Sequence, residues 1–458
     1  MIANSLVELD RQHVIHPVIS YRKHEQRGAT VLRSASGVHI TDAEGKRYLD
    51  GFSGLWCVNV GYGQKSIVDA AARQMEALPY ATGYFHFSNE PAIRLAAALA
   101  DLAPGDLRHV YFTLGGSDAV DSAVRFTQFY FNSIGERRKT NFISLERGYH
   151  GSSTTGSGLT ALPAFHAGFN VPLPNQHKIL SPYPYRNPLG SNPAAIIAGS
   201  VQALRDKVGA LGADNVAAFI CEPVQGSGGV IVPPKGWLSA MQQACRELGI
   251  LFIVDEVITG FGRTGPLFAS QSENLEPDMM TVAKGLTSGY APMGALFVSD
   301  RIYQAMADGA GNAVVGHGFT YSAHPVSAAV GLEVLRLYLE GGLIENGIAS
   351  GRRLMAGLAE LANHPLVGEA RGVSMLAALE LVADKATKAE FPPGVAIADR
   401  LAQAGLENGV IFRAFPNGTI GLAPSLNYSL ADVDDLVGRL RRTLDDLLTQ
   451  PHVREAMA

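Results

Sequence analysis

Two short apolar runs constrain this chain more than any other feature. Leu251 to Val254 is uncharged and largely β-branched or aromatic, the composition of a strand buried on both faces, and it ends in Asp255 and Glu256. Met279 to Val282 is a second such run, ending in Ala283, Lys284 and Gly285. Runs of this kind alternating with helical stretches predict an α/β chain with a doubly wound sheet. Ligands of such sheets bind outside the carboxyl ends of the strands. The sequence therefore places an acid and an amine at two neighbouring strand ends.

An Asp facing a pyridinium nitrogen and a Lys forming a Schiff base are the protein groups that pyridoxal phosphate needs most. Gly115-Gly116-Ser117, where the strand VYFTL turns into a helix, adds exposed amides, a helix dipole and a hydroxyl suited to a phosphate; alone, a glycine turn before a helix is more often structural. Tyr149 and His150, in ERGYHG, lie at another strand exit, where an aromatic can stack on a pyridine ring or simply pack. Arg413 in VIFRAF is a charge inside an apolar run and calls for an anion, either a structural carboxylate or that of a substrate. The pattern G-x-G-x-x-G at Gly260, Gly262 and Gly265 is rejected as a dinucleotide fingerprint, because Pro266 follows and no helix opens on the third glycine.

The rest of the chain gives these groups a setting. At 458 residues two domains are expected. A formal net charge of −5 gives no reason to expect nucleic acid or an anionic membrane as partner. Three cysteines cannot form a disulfide framework, and Cys221 and Cys245 read as buried thiols. No C-x-x-C or H-E-x-x-H spacing occurs, so no metal site is expected. The polar N-terminal stretch does not resemble a signal peptide and no run reaches membrane-spanning length, so a cytoplasmic setting is expected.

In chain order, residues 1 to about 30 read as a loose arm broken at His16-Pro17. A hairpin is expected around Asp42–Gly45, helices at 66–78, 91–102, 119–131, 238–248 and 326–339, and a long irregular region at 156–192. The C-terminal part reads as α+β: a helix at 347–362, strands MLAALELV and GVIFRAF, and a last helix capped by Ser429 and Asp432.

Taken together, IVDEVITGFGRTG, PDMMTVAKGL and HGFTYSAHP strongly resemble the class III (ω-) aminotransferases, and the likeness runs from about Tyr48 to the C-terminus. LWCVNVGYG and GVIFRAF look most like the amine:pyruvate and putrescine:pyruvate branch. The resemblance implies pyridoxal 5'-phosphate and its fold type I, an α/β large domain at 60–325 with a mostly parallel seven-stranded sheet, and a smaller α+β domain from 1–59 and 326–458. It implies that Lys284 holds the cofactor and shuttles the proton, that Asp255 keeps the pyridine nitrogen protonated, and that Val257 and Tyr149 sandwich the ring. Gly116 and Ser117 would bind the phosphate, with Thr320 from the second subunit of a homodimer, or of a dimer of dimers. Trp56, Tyr149 and the second subunit's Phe85 would line the substrate pocket, and Arg413 would take the carboxylate of pyruvate. Glu222 matches a glutamate that pairs with that arginine in glutamate-using relatives. Asp118 departs from the commoner glutamate of the phosphate turn. Ser152 stands where relatives using 4-aminobutyrate and 2-oxoglutarate carry arginine, which favours pyruvate as acceptor. The rival expectations are a 2-oxoglutarate-dependent aminotransferase or an aminomutase on the same scaffold, and a non-catalytic protein on this fold.

Overall fold

The computed structural model describes residues 5–457; residues 1–4 and 458, at the two ends of the stretches assigned to the smaller domain, lie outside the described residues. Near the N-terminus β1 (Leu32–Ser36), β2 (His39–Asp42) and β3 (Arg47–Asp50) form an antiparallel meander. The β2–β3 turn is the expected hairpin: the Asp42 carboxylate accepts the backbone N–H groups of Glu44 and Lys46.

The central sheet follows, with β4 (His109–Thr113), β5 (Asn141–Leu145), β6 (Gln176–Ile179), β7 (Val216–Cys221), β8 (Leu251–Asp255), β9 (Met279–Val282) and β10 (Gly294–Val298). These seven strands lie in the order β4-β10-β9-β8-β7-β5-β6. All run parallel except β10, which is antiparallel to both its neighbours. The apolar composition of β8 follows from cover on both faces. Leu251 and Ile253 pack with Val120 and Val124 of the helix Gly116–Ser133, while Phe252 and Val254 pack with Leu204 and Met241 on the other side.

The C-terminal part adds β11 (Val367–Val373), β12 (Leu376–Leu381), β13 (Val410–Ile411), β14 (Arg413–Ala414) and β15 (Thr419–Leu422). Four of these make a sheet in the order β11-β12-β15-β14, while β13 lies parallel to β3 and ties the two ends of the chain together. The final helix, Leu430–Thr449, begins with the expected reciprocal Ser429–Asp432 cap.

Three readings change. Residues 6–27 are not a loose arm but two helices, Leu6–His13 and Tyr21–Arg27, with His16-Pro17 in the turn between them. The 156–192 region contains the edge strand β6, whose sequence QHKI is too short and polar to signal a strand. GVIFRAF is split at Phe412 between two sheets, so Arg413 sits on a short, exposed edge strand. Among the described residues no helix is long and apolar enough to cross a membrane.

Candidate active site

The carboxyl ends of the parallel strands open into a cavity of about 590 Å³. Ser117 follows β4, Tyr149 follows β5, Glu222 follows β7, Asp255 ends β8 and Lys284 follows β9, and all five line it. The opposite wall comes from the ends of the chain: Phe52, Trp56, Arg413 and Phe415.

Asp255 is 4 % exposed, and both its carboxylate oxygens are engaged. Oδ2 lies 2.8 Å from Nδ1 of the buried His150, and Oδ1 accepts the backbone N–H of Val257 at 3.1 Å. A buried carboxylate needs such donors. His150 arrives from the end of β5, two strands away, and its Nε2 is buried without a hydrogen-bond partner. Glu222 is buried beside this pair and accepts the backbone N–H groups of Tyr149 and Gly226, each at 2.9 Å. Burial, reinforced by the Asp255 charge, pushes the Glu222 carboxyl up to about 8. Glu222 makes no ion pair with Arg413 among the described residues.

Lys284 follows β9 one residue beyond its end, after Ala283, with φ 38°, a left-handed conformation that costs a non-glycine residue about 1–3 kcal/mol. Burial draws its amine below the ordinary lysine range, opposed by the Cys57 thiol and the Asp255 and Glu222 carboxylates. Such an amine is more readily neutral and nucleophilic. Its Nζ lies 5.9 Å from the centroid of the Trp56 ring, which is 3 % exposed.

The helix Gly116–Ser133 starts at Gly116, three residues before the expected position, because Gly115 is extended and serves as its N-cap. Gly116 and Ser117 therefore occupy the first turn, whose unpaired N–H groups can hold an anion. A Cβ at Gly116 would meet Val257 Cγ1 at 2.9 Å, and one at Gly151 (φ 113°) would meet Ser117 Oγ at 2.7 Å. Ser117 Oγ accepts the Ser152 N–H at 3.1 Å, and the Tyr149 hydroxyl lies 3.1 Å from Ser152 Oγ.

Arg413 is exposed on the cavity wall, its guanidinium 5.5 Å from the Phe415 ring centroid, with no carboxylate partner among the described residues. Phe85 and Thr320 do not line this protomer's cavity. Both are exposed, Phe85 at 82 %, among Tyr80, Tyr84, Phe87 and Tyr321.

This geometry can be set beside known proteins. Residues 20–444 match the family model described as aminotransferase class-III. The chain belongs to the class-III aminotransferases. A putrescine–pyruvate aminotransferase of Pseudomonas aeruginosa is 42 % identical over 439 residues, covering 95 % of both chains. A diaminobutyrate–2-oxoglutarate transaminase of Halomonas elongata is 37 % identical over 456 residues, covering 97 % of each. The ω-transaminase of Pseudomonas jessenii, solved in complex with PMP, superposes with a TM-score of 0.95 at 37 % identity, covering 97 % of this chain and 98 % of that one.

Class-III aminotransferases use pyridoxal 5'-phosphate, and the groups of this aminotransferase fit it: an amine, a carboxylate, an anion-binding helix turn and an aromatic share one cavity. Two contributors escaped the sequence. His150 is visible as a motif residue, but its partner is 105 positions away, and only the need of a buried Asp for a donor hints at the pair. Pro17, Val18 and Ile19 line the cavity, and nothing in a polar N-terminal stretch signals that.

Proposed function

We propose that this aminotransferase transfers the amino group of a primary amine, with diamines and ω-amino acids as the donor class, to pyruvate, releasing alanine by a ping-pong mechanism. The observation that carries the acceptor is Arg413, the one arginine on the cavity wall among the described residues, free of any carboxylate. One guanidinium fork matches one carboxylate. A dicarboxylate such as 2-oxoglutarate calls for a second cation, and Ser152 supplies none. The apolar surfaces of Phe52, Trp56, Ile258 and Phe415 suit an uncharged donor chain when no carboxylate is bound.

The cofactor, when bound, supplies an electron sink for the carbon that carries the amino group. Asp255, oriented by His150, keeps the pyridine nitrogen protonated. Lys284 would hold the cofactor and would move the proton at the amino-bearing carbon, a task suited to its lowered affinity for protons. Gly116 and Ser117 would hold the phosphate, while Val257 and Tyr149 would flank the ring.

We also read the enzyme as a homodimer in which Thr320 of the partner subunit reaches the phosphate and Phe85 of the partner subunit closes the substrate pocket. The exposed aromatic surface around Phe85, a residue with φ 57°, supports this reading. The large domain then spans 60–325 and the smaller one 1–59 and 326–458. A cytoplasmic setting suits the free thiols of Cys57, Cys221 and Cys245.

A panel of diamines, ω-amino acids and primary amines, each with pyruvate and with 2-oxoglutarate, tests the proposal by following alanine and glutamate. Alanine is expected to form at least about tenfold faster, the equivalent of 1.36 kcal/mol of barrier. Equal or faster glutamate formation would overturn the assignment of the acceptor.

A further inference from the structure

The helical pair at the N-terminus carries a second cluster of chemistry-bearing side chains, none of which is among the groups assigned to the cofactor. Asp10 lies on the helix Leu6–His13, His16 in the following turn, and His24 on the helix Tyr21–Arg27. His16 Nε2 is 2.8 Å from Asp10 Oδ1, and His24 Nε2 is 3.0 Å from Asp10 Oδ2. One ligand atom from each residue falls within a common 4.8 Å span.

Hydrogen bonding accounts for only half of this cluster, the contact of His16 Nε2 with Asp10 Oδ1 at 2.8 Å. His24 Nε2 and Asp10 Oδ2 are both buried, yet neither has a hydrogen-bond partner, because their contact lacks the required angle. Arg11, the nearest cation along the helix, is directed to the Gln26 carbonyl and the Glu8 carboxylate instead of Asp10. Beside the hydrogen-bonded His16, His24 Nε2 and Asp10 Oδ2 therefore face each other at 3.0 Å without pairing.

We propose that Asp10, His16 and His24 form a zinc site, with a water as fourth ligand. Two imidazole nitrogens and one carboxylate oxygen are a donor set that Zn²⁺ accepts, at about 2.0–2.2 Å from each ligand, which puts tetrahedral ligand atoms roughly 3.3–3.5 Å apart. The two histidine–aspartate contacts, at 2.8 and 3.0 Å, need to open by about 0.3–0.7 Å to reach that spacing. The expectation of no metal site rested on familiar short motifs; here the ligands are six and eight residues apart and meet only because the helices fold back.

The site has a structural consequence. Between His16 and His24 runs Pro17-Val18-Ile19, the segment that lines the active-site cavity. Val18 has φ 52°, an outlier for a β-branched residue. Such strain persists only where the surroundings hold it. The ion clamps the two ends of this turn and fixes the wall that it presents to the cavity.

The test uses the cofactor-loaded enzyme and Co²⁺ as a spectroscopic stand-in for Zn²⁺. Wild type should bind one Co²⁺ per chain with the ligand-field bands of a four-coordinate ion, displaced by one equivalent of Zn²⁺, and Zn²⁺ should raise Tm. Asp10→Asn and the double variant His16→Gln, His24→Gln should weaken Zn²⁺ binding by calorimetry by more than about 100-fold, beyond the loss of an outer-shell partner. Binding of equal affinity in wild type and in both variants, or no binding by wild type, would overturn the proposal. The apo Tm of each variant shows independently that it is folded.

Discussion

Replacing Arg413 with alanine separates recognition of the acceptor from everything else that the cavity does. The guanidinium has no carboxylate partner among the described residues, so its removal strands no buried charge. The loss within the protein is confined to its approach to the Phe415 ring at 5.5 Å, about 0.5–1 kcal/mol at an exposed site. Thermal stability should therefore change little. The pyruvate half-reaction is different, because it loses a charge-assisted hydrogen bond worth about 1.5–3 kcal/mol. That corresponds to roughly 10- to 150-fold in kcat/KM for pyruvate. The half-reaction of a diamine or simple primary amine, which carries no carboxylate to meet Arg413, should stay within a few-fold of wild type. Single-turnover absorbance changes of the bound cofactor measure each half-reaction alone. Equal losses in both, or a variant that unfolds well below wild type, would show that the arginine is a structural element and would remove the support for pyruvate.

Other perturbations reach the remaining groups. Lys284→Ala should fold with a near-native circular dichroism spectrum and lose turnover; the proton transfer it is assigned is worth about 10²–10⁴-fold, so activity within tenfold of wild type refutes that role. His150→Phe removes the 2.8 Å contact with Asp255 and should lower kcat by roughly 10- to 150-fold and shift its pH profile, while His150→Gln, which keeps a donor, restores part of both. A wild-type profile in His150→Phe would show that Asp255 needs no such support. Glu222 is raised from 4.5 to about 8 by burial and by Asp255, so the folded enzyme holds this proton more tightly than the unfolded chain. The stability it adds is full below pH 4.5 and is lost as pH rises through about 8, so Glu222→Gln should flatten the decline of Tm across that window; an unchanged slope contradicts the assignment.

The parts of the fold that were readable are those where local composition and tertiary role coincide. β8 and β9 are buried on both faces, so their apolar runs identify them as strands without knowledge of their neighbours. The Ser429 cap is local to a few residues and equally legible. β6 is an edge strand whose polar residues contact a single neighbouring strand, so its pattern carries no strand signal. Phe412, where the run 410–415 changes sheets, is apolar like the residues before it and carries no glycine or proline signal that would mark a switch. At the site the same division holds. Asp255 and Lys284 announce themselves at strand ends, whereas His150 acquires its meaning only when β5 and β8 lie in one sheet.

The pair Asp255-Glu256 shows how one stretch serves both the reaction centre and its frame. Successive residues of a strand point to opposite sides. Asp255 therefore faces the cavity, and Glu256 turns into the protein, fully buried. Its carboxylate accepts the Thr259 hydroxyl, the backbone N–H groups of Ala269 and Ser270, and the Ser270 hydroxyl, at 2.7, 3.0, 2.7 and 2.7 Å. This closes the loop that carries Gly260, Gly262 and Gly265, which is why the glycine triplet folds as tight turns and opens no helix. From the same loop Arg263, also fully buried, donates to the carbonyls of Met375 and Pro424 and to Asn59 Oδ1. Burial lowers its affinity for its proton to about 10, and a charge so placed costs several kcal/mol unless its donors are satisfied. Its acceptors flank β12, β15 and the segment that carries Trp56, and β15 pairs with the strand that carries Arg413. The loop behind Asp255 thus fixes the cavity wall formed by Trp56 and Arg413 relative to the strand ends that carry Asp255 and Lys284. A substitution in this loop should therefore alter donor selectivity even though no residue from 259 to 270 lines the cavity.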